Sequence, residues 1–215
     1  MTRSTLRIIL ALAAATVGCA SPSGPTNESP SAPSASEMQS LADQFAKTAV
    51  NGFGSTTSKI HSIAAISGPA SATASPAQTV TVQVFQPWSV RTNCAGGGYV
   101  SSVGHVSGSI SVSDTLGAFG NISLTGTDSI IGWGCAGNWI VNGDPYLSEI
   151  GTLKITGNNI SADFRQSGGF VATQNGARAG CQVSVHVTWD NSLGGRVQGS
   201  VTCNPGGTAS VNQTF

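Results

Sequence analysis

The chain has 215 residues with nine Lys plus Arg against nine Asp plus Glu, and only 8% of its residues are charged. So balanced a chain offers no electrostatic basis for nucleic acid or acidic substrates as partners. Its 28 glycines and 6% aromatics, with Ser and Thr plentiful, argue against a helical bundle. They predict a mainly β fold, an antiparallel sandwich or open half-barrel built from short strands and tight turns.

Arg3 and Arg7 precede an uncharged run from Ile8 to Val17, and Thr16-Val17-Gly18 lead directly into Cys19. The basic start and apolar run have the make-up of an export signal. Ten residues are too few to cross a hydrocarbon core of about 30 Å at about 1.5 Å per helical residue, so the run is a processing signal and not an anchor. The segment resembles the lipobox of bacterial lipoproteins, with Gly18 and Cys19 fitting its last two positions and Thr16 standing where Leu is commonest. The resemblance implies that residues 1–18 form a signal peptide and that Cys19 becomes the acylated N-terminus, carrying a diacylglyceryl thioether and an N-acyl chain. The expected location is therefore the cell envelope, with the membrane as a partner through the lipid. Ala20 stands where many lipoproteins of the Gram-negative inner membrane have Asp, which implies outer-membrane sorting if the organism has one.

Residues 19–35 form a Ser/Pro/Gly/Asn-rich tether with no apolar periodicity, too polar to offset its own ordering entropy. Such a segment holds a domain on the order of 20–30 Å from the bilayer. Residues 36–78 follow as a helix and a Ser/Ala-rich connection. Ser36 and Gln39 have capping-box spacing, and Met38, Leu41, Ala42, Phe45 and Ala49 recur at helical intervals. Asn51-Gly52 is the expected stop, giving a helix over 37–50 laid against a sheet. Ile60, Ile63 and Ile66 allow a second short element of unassigned type.

From Thr79 the period changes to two, and residues 79–215 read as one antiparallel β-domain. Val80, Val82 and Val84 alternate with polar residues until Pro87, expected to end the strand. Asn93-Cys94-Ala95-Gly96-Gly97-Gly98 is a turn, because its spacing and flanks lack what a phosphate-binding loop needs. Strand-like runs follow at Tyr99–Val106, Ser107–Ser113, Phe119–Thr125, Asn138–Asn142, Gly151–Thr156, Asn159–Arg165 and Gly169–Gln174. The last hairpin is the most explicit. Cys181, Val183, Val185, Val187 and Trp189 share one face, and Val197, Gly199, Val201 and Cys203 share one face of the return strand. Pairing residue 189 with residue 195 sets Val187 opposite Val197 and Cys181 opposite Cys203. With Cys19 lipidated, four cysteines remain in an exported chain, so the expected bridges are Cys181–Cys203 and Cys94–Cys135.

Chemistry is harder to find. Gly104-His105-Val106-Ser107-Gly108 has its serine in the wrong place for a nucleophile elbow, and His186 reads as a plain surface histidine. Asp114, Asp128, Asp144, Glu149 and Asp163 are scattered in sequence, although a fold can bring distant carboxylates together. The isolated His61, His105 and His186 and the absent C-x-x-C spacing predict no metal, and no cofactor is expected. Trp133 and Trp139 flank Cys135 and have two readings, a stacking platform for a sugar or apolar ligand, or rings packed on the disulfide at one end of the sheet. The second is preferred. Phe215 at the end of the sequence raises an outer-membrane barrel as a further class, against which stand four cysteines and two tyrosines.

The leading functional expectation is a noncatalytic envelope lipoprotein whose β-domain binds an envelope polysaccharide, an apolar ligand or a protein partner. A lipid or small apolar ligand carrier, with a cavity between helix and sheet, is the second reading. A hydrolase without a recognisable motif is the third. Nothing in the sequence sets the oligomeric state.

Overall fold

A computed structural model describes residues 32–67, 79–113, 117–143 and 147–215; the signal segment, Cys19 and most of the tether lie outside the described residues. Among the described residues one helix, α1 (Ala35–Ser67), lies against a single antiparallel sheet of nine strands. These are β1 (Thr79–Asn93), β2 (Tyr99–Ser113), β3 (Gly117–Ala136), β4 (Trp139–Asn142), β5 (Leu147–Thr156), β6 (Asn159–Gln174), β7 (Ala177–Asp190), β8 (Gly194–Asn204) and β9 (Gly207–Thr214). Two long strands, β3 and β6, hold β4 and β5 between them in one lane. β4 pairs with the end of β3 and β5 with its first part, and both pair with β6. The sheet remains open, so the barrel alternative is set aside: β1 and β9 are its edges, and α1 packs on both.

The helix starts two residues earlier than expected. Ser34, not Ser36, is the N-cap, and Glu37 returns to it: Ser34 N donates to Glu37 Oε2 at 2.8 Å and Glu37 N donates to Ser34 Oγ at 3.3 Å. It also runs past Asn51-Gly52, because the apolar stripe continues through Phe53, Thr56 and Ile60, all fully buried. Gly52 is a packing residue and not a stop. A Cβ there would collide with the indole of Trp88, so glycine lets helix and sheet approach. Phe53 sits edge-on to three rings, Trp88 at 6.3 Å, Phe164 at 5.5 Å and Trp189 at 5.6 Å.

Two strand boundaries also differ from expectation. β1 continues through Pro87, which an edge strand tolerates because its outer side needs no N–H. Tyr99–Val106 and Ser107–Ser113 are one strand. The last hairpin has the expected register, with Val187 opposite Val197, Val183 opposite Val201 and Cys181 opposite Cys203. Both disulfides form, Cys181–Cys203 within that hairpin and Cys94–Cys135 between the β1–β2 turn and the end of β3. No helix among the described residues is long and apolar enough to cross a membrane.

Candidate functional site

The sheet brings together two of the acids that are far apart in sequence. Asp128 on β3 and Glu149 on β5 both point to the inward face and are fully buried, with Gln166 of β6 and Ser102 of β2 beside them. Gln166 Nε2 donates to Asp128 Oδ2 at 2.6 Å and to Glu149 Oε1 at 3.3 Å. Ser102 Oγ donates to Glu149 Oε1 at 3.2 Å and itself accepts the indole N–H of Trp88 at 2.9 Å. Trp88 reaches over Gly104 and Gly126, where any Cβ would strike its ring.

Three oxygens in this cluster find no donor: Asp128 Oδ1, Glu149 Oε2 and Gln166 Oε1. Among the described residues neither acid makes an ion pair. Burial first, and then the neighbouring Glu149 charge and carboxyl, push Asp128 well above the ordinary carboxylate range. Both carboxyls share the Gln166 amide as a donor, and the proton Asp128 retains to higher pH removes a buried charge. The residues resemble a catalytic pair in composition, but both are fully buried, on the face of the sheet against which α1 packs and with Trp88 beside Glu149.

An open site lies elsewhere. A groove of about 630 Å³ runs across β3 and β5–β9 where the β7–β8 turn meets Phe215, and Lys154, Asp163, Asp190 and Arg196 line it. Asp163 Oδ1 is 2.7 Å from His186 Nε2, with both side chains substantially exposed. Asp190 accepts from Ser192 Oγ at 2.5 Å, from Ser192 N at 2.8 Å and from Asn159 Nδ2 at 3.1 Å, and these contacts, the hydroxyl first, hold its carboxyl below the usual range. Arg196 donates through Nε and Nη2 to Asn212 Oδ1. Trp189, Leu193 and Phe215 supply apolar surface, Leu193 being 88% exposed. The groove can bind a ligand through fixed donors and acceptors.

Trp139 is buried at 1% exposure, belongs to the core and offers no ring to a ligand. The Trp133 side chain, Asp114 and Asp144 lie outside the described residues. Among the described residues no three or more His, Cys, Asp or Glu converge as metal ligands would. Trp88, Ser102 and Gln166 were not singled out by sequence. Their signal is phase: Gln166 continues the inward alternation of Ala162 and Phe164. Compared with known proteins, the chain matches no family model, no curated protein and no solved structure.

Proposed function

We propose that the chain is an envelope lipoprotein, held to a membrane by lipid on Cys19, whose β-domain presents a noncatalytic binding surface. The observation that carries the reading is where the groove stands relative to the point of chain entry. Ala32 packs beside Gly206, and Met38 Sδ lies 3.3 Å from Cys203 Sγ, so the tether joins at the β8–β9 turn. The groove includes Gly194 to Arg196, at the opposite end of β8. Seven residues from Arg196 to Cys203 span roughly 23 Å of strand at about 3.3 Å each. A domain tethered at one end thus carries its open site at the other, facing away from the lipid. The two disulfides are in keeping with an oxidising compartment.

The two other readings meet obstacles. Leu41, Phe45 and Phe53, all fully buried, occupy the concave side where a carrier would hold its ligand. A hydrolase using Asp128 and Glu149 would need α1 to lift from the sheet. The test is metabolic labelling with an alkyne fatty acid, followed by fractionation and by incubation of the extracted protein with envelope polymers. Labelling and membrane retention, both lost in Cys19→Ser, are expected, with polymer retained and unchanged in length. An unlabelled soluble chain, or polymer cleavage lost in Asp128→Asn or Glu149→Gln, overturns the proposal.

A further inference from the structure

Resting on that binding reading, we infer that the groove takes a neutral glycan strand, a polyhydroxylated chain without net charge. Asp163 and Asp190 face the groove together with Lys154 and Arg196, two anions balanced by two cations. A polyanion would meet the aspartates, and a polycation would meet the lysine and the arginine. A sugar hydroxyl both donates and accepts, so successive hydroxyls of one strand satisfy carboxylates and cations alike.

Three of the four charged groups are oriented in advance. His186 holds Asp163, Ser192 and Asn159 hold Asp190, and Asn212 holds Arg196 through Nε and Nη2. Little side-chain freedom is then lost on binding. Leu193, with the partly buried Trp189 and Phe215, provides apolar surface for the C–H face of a pyranose ring. An extended peptide is a poorer fit. The four charged residues sit on β5 to β8, strands hydrogen-bonded on both sides, and the edge strand β9 contributes Thr214 alone, so along the charged part of the groove a peptide backbone has no open ladder to join.

The test uses the full mature chain in detergent micelles on an array of neutral and acidic oligosaccharides, with the strongest neutral hexasaccharide then titrated by calorimetry. Binding of a neutral hexasaccharide is expected, weakened tenfold or more by Asp163→Asn and by Arg196→Gln. Val103→Thr, on the outer face of β2, should leave it unchanged, and unaltered melting of each variant confirms the fold. Absence of neutral-glycan binding, equal binding of acidic oligosaccharides, or affinity untouched by the groove variants overturns the inference. Chromatography of the bound sugar separates the two proposals. Cleavage products overturn the noncatalytic reading and leave the ligand class standing, whereas groove-dependent capture of a non-sugar envelope component overturns the ligand class alone.

Discussion

Enclosing Asp128 beside Glu149 costs more when Asp128 is ionised than when it keeps its proton. The unfolded chain releases that proton near the ordinary value of 3.8, while the folded chain keeps it to higher pH. Over the interval between, the folded state binds more protons than the unfolded state. The stabilisation is therefore complete below the unfolded pKa and is lost as pH rises through the folded one. One retained proton limits the slope to about 1.4 kcal/mol per pH unit. Urea unfolding of the wild type from pH 4 to pH 9 should show stability falling with pH. Asp128→Asn, which donates to Glu149 but cannot ionise, should flatten the profile and unfold later than wild type at the alkaline end. An unchanged slope in that variant would place the pH dependence elsewhere. The exposed His186–Asp163 pair is a poor candidate for it, since such surface pairs contribute only about 0–1 kcal/mol.

Within α1, two glycines one turn-fraction apart have opposite roles. Gly52 faces Trp88, whose indole is fixed by Ser102, whereas nothing stands within 4 Å of a Cβ built on Gly54. Gly54→Ala should therefore stabilise by about 0.4–1 kcal/mol through the loss of unfolded-state freedom. Gly52→Ala should destabilise by about 1–3 kcal/mol through overpacking. Thermal melts of both variants check the pair, and a matching sign would contradict this placement of the helix. The bridges stabilise at the same scale: Cys94–Cys135 closes the longer loop, 41 residues against 22, so replacing both of its cysteines by Ala should cost slightly more within the usual ~2–4 kcal/mol. The final hairpin was legible because its valines and cysteines keep strict alternation across a short turn, which leaves a single register that buries them. The central strands were cut short for the opposite reason. The runs ending at Thr125 and Arg165 and the one starting at Gly151 stop just before Asp128, Gln166 and Glu149. Polar residues at inward positions break the apolar alternation that marks a strand, and those residues are the buried cluster. The length of α1 was missed because glycine commonly ends helices, and only the indole across from Gly52 shows why this one does not.

At the scale of the whole molecule, the helix is the piece that makes an open sheet into a closed unit. β1 and β9 do not pair; α1 fills the space between them, and Gln39 Nε2 donates to the β9 carbonyl of Ser210 at 2.7 Å. Exposed edges invite pairing with other chains, so a helix laid along both is also protection against association. Phe53 joins the two layers through its contacts with Trp88, Phe164 and Trp189, and Phe53→Ala should cost about 3–5 kcal/mol. If helix and sheet are one cooperative unit, the helical signal in the far ultraviolet and the tryptophan emission should disappear in a single transition, in wild type and in Phe53→Ala alike. The coincidence bears on function as well as on stability. A helix that came away first would open the concave face and admit water and solutes to Asp128 and Glu149 while the sheet stayed folded. Separate transitions would thus return the acid pair to the list of working residues, and coincident ones keep the outward groove as the site that meets a ligand.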